Sequence, residues 1–135
     1  MSETAWLIDK SAFQRLPDSI ALDEWLTRIQ RGLVRIATVT LLEVGFSARS
    51  ADDWQATVRS GAVACMPVEC LTPGAERRAV EVQGLLAQRG THRAPSLPDL
   101  LLAAAAELGG LVVLHQDKDF ELIAELTGQR VERLR

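Results

Sequence analysis

Short apolar segments alternate with helical segments along the whole chain, which predicts an α/β fold: a parallel sheet sandwiched between helices. Two observations reinforce this. Leu111 to His115 is apolar without a break until its histidine, as a strand covered on both faces must be. Cap and glycine residues punctuate the segments, with Gly32, Gly109-Gly110 and Gly128 as stops and Thr72-Pro73 as a start.

Trp6 to Ile8 is a short apolar strand ending at Asp9. Ile20, Leu22, Trp25, Leu26 and Ile29 recur at helical spacing within a segment ending at Gln30. Leu33 to Ala37 reads as a second strand. Thr38 to Arg49 reads as a helix that is apolar nearly all round and so should be buried; Glu43 is its only charge before Arg49. Ala51 to Ser60 is a more polar helix, and Ala62 to Val68 a third strand. Thr72 caps a long amphipathic helix ending near Gly90, and Ser96 to Leu108 forms another. After the fourth strand, Asp117 to Leu126 is a helix and Arg130 to Leu134 a short edge strand. No repeat, linker or low-complexity tail interrupts this pattern, so residues 1–135 are expected to form one domain.

Apolar residues are 47% of the chain and aromatics only 4%, so the core must rest on Leu, Val, Ile and Ala. No apolar run approaches the roughly 20 residues of a membrane span, and Met1-Ser2-Glu3-Thr4 lacks the basic start of a signal peptide. A cytoplasmic location is the expectation. Cys65 and Cys70 lie in the apolar stretch 62–71 without Cys-x-x-Cys spacing or a nearby His, and are expected to be small core hydrophobes. The net charge of −3 argues against a broad basic surface for nucleic acid. Only two lysines, Lys10 and Lys118, stand beside thirteen arginines, so any such contact must be local.

The informative residues are acids set against apolar segments: Asp9, Glu43, Asp99 and the pair Asp117 and Asp119. In a parallel α/β sheet the carboxyl ends of the strands lie on one edge, and ligand sites gather there. Asp9 ends the first strand, and Asp117 and Asp119 follow the fourth. Asp99 opens the helix leading into that strand, and Glu43 lies early in the helix after the second. Topology therefore places all of them at one edge without fixing strand order. Setting these five aside changes the balance from −3 to +2, and bound cations would neutralise the same group. Carboxylate oxygens select Mg²⁺ or Mn²⁺ rather than Zn²⁺, and two such ions about 3.5–4 Å apart suit phosphodiester hydrolysis. Each acid also has a plain structural reading. Thr40-Leu41-Leu42-Glu43 and Ser96-Leu97-Pro98-Asp99 read as capping boxes, Asp117 as the cap of the last helix and Asp9 as the cap of a turn.

The order and context of these acids resemble the PIN domain, and within it the VapC-type toxins of bacterial toxin–antitoxin pairs. The matching pieces are Leu7-Ile8-Asp9-Lys10-Ser11-Ala12, Thr40-Leu41-Leu42-Glu43-Val44, Pro98-Asp99-Leu100 with the apolar run to Ala106, and Leu114-His115-Gln116-Asp117-Lys118-Asp119-Phe120. The resemblance implies a three-layer sandwich around a five-stranded parallel sheet. It implies an Mg²⁺- or Mn²⁺-dependent ribonuclease in which a metal-activated water attacks an RNA phosphate. Asp9 and Asp99 match the positions most directly tied to metal, Glu43 the family's helix glutamate, and Asp117 or Asp119 the fourth acid. Ser11 matches a hydroxyl that holds the first aspartate. A cognate antitoxin and a homodimer are implied as partners.

Two positions depart from the family pattern. Lys10 stands where Thr or Ser usually follows the first aspartate, and His115 where Thr is common. Lys10, Arg15, Arg49, Arg93 and Lys118 are candidates for RNA phosphate contact. Trp6 and Trp25 are expected in the core, and Trp54 at a surface contact. The runner-up reading is a PIN-like binding or scaffold module without catalysis. A phosphorylated receiver domain would need an acidic pair near the first strand and a Lys after the last, and a haloacid-type phosphatase an Asp where Ser11 stands; neither is present.

Overall fold

The computed structural model describes residues 3–135. The elements are β1 (Trp6–Ile8), α1 (Lys10–Arg15), α2 (Leu22–Gln30), β2 (Val34–Ala37), α3 (Thr38–Phe46), α4 (Ala51–Val58) and β3 (Val68–Glu69). They continue with α5 (Pro73–Gln88), α6 (Leu97–Gly109), β4 (Val112–His115), α7 (Lys118–Thr127) and β5 (Val131–Arg133). The five strands form one parallel sheet in the order β3-β2-β1-β4-β5.

Side chains alternate across the central strands, and each face of the sheet builds its own core. Leu7 and Val113 point to one side, where Ala79, Val82 and Leu86 of α5, Leu102 and Ala106 of α6, and Phe120 and Ile123 of α7 pack on them. Trp6, Ile8, Val34, Ile36, Val112 and Leu114 point to the other side, against Ala12 of α1 and Trp25 and Ile29 of α2. This is the expected three-layer arrangement. Trp6 and Trp25 meet edge to face at 5.2 Å, and the Arg28 guanidinium covers both rings. Gly110, with φ +68°, turns the end of α6 into β4; a side chain there would be strained.

Four expectations fail. The segment 62–68 is not a strand: Gly61–Cys65 forms a 3-10 turn, and only Val68–Glu69 pairs with β2. Gly61 enters it at φ +64°, and only Val63 and Met66 of the apolar run reach the core. Cys65 and Cys70 are consequently exposed, not buried. Helix α3 is not enclosed: Thr40 and Val44 face inward while Leu42 and Phe46 are 68% and 91% exposed. Nor is Thr40 a cap. β2 feeds directly into α3 at Thr38, so Thr40 lies inside the helix, its hydroxyl oxygen buried without a hydrogen-bond partner. One helix is additional: the residues after Asp9, expected to turn, form α1.

Candidate metal centre

β1 and β4 lie side by side, with Ile8 opposite Leu114. From β1 the chain crosses to β2 and β3 on one side and later to β4 and β5 on the other. The crevice at the carboxyl ends of β1 and β4 is thus the topological switch point of the sheet, where open α/β folds bind ligands. Asp9 leaves β1 there and Asp117 leaves β4.

Asp9 is 4% exposed and caps α1. Its Oδ1 accepts the Ala12 N–H at 2.9 Å, and the Ser11 hydroxyl sits 2.8 and 2.7 Å from its two oxygens. The same hydroxyl oxygen accepts the Gln116 N–H at 2.9 Å, so Ser11 ties the ends of β1 and β4 together. Asp117 caps α7 by accepting the Asp119 N–H at 2.9 Å. Ser96 caps α6 by accepting the Asp99 N–H at 3.3 Å, which holds Asp99 in the first turn. Capping and convergence therefore coexist: the bonds that start three helices also aim their acids at one place.

That place is a cleft of about 330 Å³ whose walls include Asp9, Glu43, Asp99, Asp117 and Asp119. Asp99, Asp117 and Asp119 each offer an oxygen, and these three atoms lie within 4.8 Å of one another. Asp9 and Glu43 line the same cleft outside that trio. The charge density shows in the titration of the group. Burial, and then the neighbouring charges of Asp117 and Asp9, push the Asp99 carboxyl up to about 6. Burial also raises Asp9 against the hydrogen bonds from Ala12 and Ser11. Glu43 and Asp119 are raised too, burial again leading, with Asp9 adding to the first and Asp117 to the second. Like charges held this close call for protons or a cation. The donors are carboxylate oxygens alone, the set that hard divalent cations prefer; the residues fit such an ion.

The PIN domain family model matches residues 7–126. The chain belongs to the PIN-domain family. Ribonuclease VapC2 of Mycobacterium tuberculosis is 59% identical over 134 residues, spanning 99% of this chain and 95% of that protein. Ribonuclease VapC51 of the same organism is 41% identical over 124 residues, spanning 92% and 88%. Among solved structures, the fold is similar to that of a chain in DNA-bound VapBC from Salmonella typhimurium. There the TM-score is 0.78 at 20% identity, covering 97% of this chain and 98% of that one. The toxin–antitoxin complex VapBC-5 from Mycobacterium tuberculosis gives 0.67 at 28% identity, covering 98% and 99%.

Of the cations expected at a PIN-domain site, only Lys10 lines the cleft. Arg49, Arg93 and Lys118 are exposed outside its lining, and Arg15 borders a separate shallow cavity with Ser19, Gln116 and Arg135. His115 is fully buried; its Nδ1 accepts the Asp117 N–H, and Nε2 has no partner. Gln14 lines the cleft and was not anticipated. The signal for it was α1 itself: once Lys10 opens a helix, Gln14 falls one turn later on the same face.

Proposed function

We propose that this chain is a divalent-cation-dependent endoribonuclease and the toxin of a toxin–antitoxin pair. The observation that carries the reading is the convergence of Asp9, Glu43, Asp99, Asp117 and Asp119 on one cleft at the β1–β4 switch point. It occurs in a chain 59% identical to a protein named Ribonuclease VapC2. Asp99, Asp117 and Asp119 hold the cation, Mg²⁺ or Mn²⁺, with Asp9 and Glu43 completing its surroundings. When bound, such an ion stabilises developing charge on phosphate and lowers the pKa of water.

The chain's own residues supply the geometry. Ser11 and the Ala12 amide fix Asp9 in a single orientation. Asp117 is fixed by its cap to α7 and by the His115 acceptor behind it. Lys10 reaches the rim of the cleft, where RNA phosphate would pass; Arg15, Arg49, Arg93 and Lys118 can act only as outer steering charges. An RNA substrate accords with a cytoplasmic place of action, and among the described residues no helix is long and apolar enough to cross a membrane. The cognate antitoxin covers apolar surface; the groove between α3 and α4, lined by Leu41, Leu42, Phe46, Trp54 and Val58, has the form of a seat for an amphipathic helix. A second copy of the chain is the other expected partner.

The test is incubation of purified protein with structured RNA, with and without Mn²⁺, beside Asp9→Asn and Asp99→Asn. Cleavage should require both the metal and both carboxylates. Metal-independent cleavage, or cleavage that survives both substitutions, would leave the non-catalytic binding module as the better reading.

A further inference from the structure

The acids of the cleft are not equivalent. Asp99, Asp117 and Asp119 bring an oxygen each within 4.8 Å of one another. Glu43 stands on α3 outside that trio, and a cation of the same chain, Lys10, lines the same cleft. Lys10 is not free to wander. Its Nζ donates to Oγ of Ser47 at 3.0 Å, and that hydroxyl sits 3.4 Å from the Glu43 carbonyl oxygen, closing a link from α1 to the C-terminus of α3. No ion pair within 4 Å forms between Lys10 and Glu43 among the described residues, so the ammonium is held by Ser47 and not by the glutamate carboxylate. Lys10 opens α1, but its ammonium lies at the C-terminus of α3, where a helix favours positive charge.

We propose that Lys10, tethered by Ser47, is a built-in cation that occupies the Glu43 side of the cleft and restricts the site to one tightly bound divalent ion, seated on Asp99, Asp117 and Asp119. The inference rests on the metal-dependent reading given above and deepens it. An ammonium in the same cleft as Glu43 repels a second dication there and offers a permanent positive charge to substrate phosphate instead. It is a single-charge partner that does not dissociate at low metal concentration.

The test counts Mn²⁺ bound to purified protein, by calorimetry and by the paramagnetic signal of free Mn²⁺. Wild type should bind one ion tightly. Lys10→Met should bind a second about tenfold or more tighter than wild type does. Ser47→Ala, which releases the tether and keeps the charge, should fall between them. The double variant Lys10→Met, Glu43→Gln should return to a single ion, which ties the gained site to Glu43. Two tight ions in wild type would overturn the proposal while leaving the metal-dependent reading intact. So would one ion in both wild type and folded Lys10→Met. Absence of any Mn²⁺ binding by wild type would overturn both.

Discussion

The backbone N–H of Asp117 donates to Nδ1 of His115, two residues earlier, at 3.1 Å. His115 ends β4, is fully buried, and is kept neutral by that burial, which lowers its pKa. With Nδ1 accepting, the ring proton lies on Nε2, so the histidine faces the site as an acceptor of the turn and not as a base. It positions Asp117. His115→Leu leaves the Asp117 amide without its partner, and should cost about 1–3 kcal/mol of stability and about 10–100-fold in Mn²⁺ affinity. His115→Asn restores an acceptor near the Nδ1 position, and its Mn²⁺ affinity should return close to wild type. Calorimetric Mn²⁺ titration of the two variants separates this role from packing: if Asn and Leu lose affinity equally, the hydrogen bond is not what matters.

Asp117 and Asp119 both belong to the metal trio, yet they differ in a second duty. Asp117 caps α7 and Asp119 caps nothing. Asp117→Ala should lose Mn²⁺ affinity and about 1 kcal/mol of stability through the missing cap. Asp119→Ala should lose affinity while the metal-free protein becomes no less stable, because the substitution removes a carboxylate that burial and Asp117 already disfavour. Melting curves with and without Mn²⁺ read both effects.

The Asp99 carboxyl moves from an ordinary 3.8 to about 6 on folding. A raised pKa means that the folded state holds the proton more tightly. The resulting stability is complete below about pH 4 and is lost as pH rises through about 6. Asp9, Glu43 and Asp119 are shifted in the same direction. Metal-free protein should therefore melt lower at pH 7 than at pH 5, with Asp99 accounting for about 1 kcal/mol over that interval after allowance for its solvent-facing part. Mn²⁺ should restore the loss above pH 6. Comparison with Asp99→Asn isolates this group from His115, whose lowered pKa acts in the opposite sense. An Asn variant with the same pH slope would show that Asp99 is not its source.

Much of this site was legible because caps and ligands share residue types. Asp9, Asp99 and Asp117 stood out as acids at segment boundaries, and the structure finds each at a helix start. The apolar runs located the strands, but not which strand lies next to which. The β1–β4 adjacency that joins Asp9 to Asp117 depends on long-range packing and appears only in the folded chain. Segment 62–68 was misread for a related reason: its apolar composition suits a strand or a packed turn equally, and the left-handed Gly61 decides between them. The exposure of Leu42 and Phe46 was invisible too, since apolar composition reports burial by a partner protein as readily as burial in the fold.

Ser11 joins two strand ends through one hydroxyl, donating to Asp9 and accepting from the Gln116 amide. Ser11→Ala should strip the Gln116 N–H of its partner and free Asp9 to rotate, costing about 1–3 kcal/mol and weakening Mn²⁺ binding together. Ser11→Thr keeps the hydroxyl and should preserve both. Loss of stability in Ser11→Ala without any change in Mn²⁺ affinity would show that Asp9 holds its orientation through the Ala12 amide alone.

Gly45 of α3 lies close against Trp54 and Val58 of α4. A Cβ built there would meet Nε1 of Trp54 at 2.7 Å and its Cδ1 at 3.1 Å. The contact is with a large ring, not a flexible chain end, so the tryptophan must shift for an alanine to fit. Trp54 also lines the groove beside Leu42 and Phe46, with the Arg59 guanidinium 5.2 Å above its ring. Gly45→Ala should therefore cost about 1–3 kcal/mol and reshape the groove while leaving the acidic cleft unchanged. Mn²⁺ affinity should stay at the wild-type value as the melting temperature falls and the Trp54 emission changes. An unaltered Trp54 signal would mean that the two helices separate without disturbing the groove.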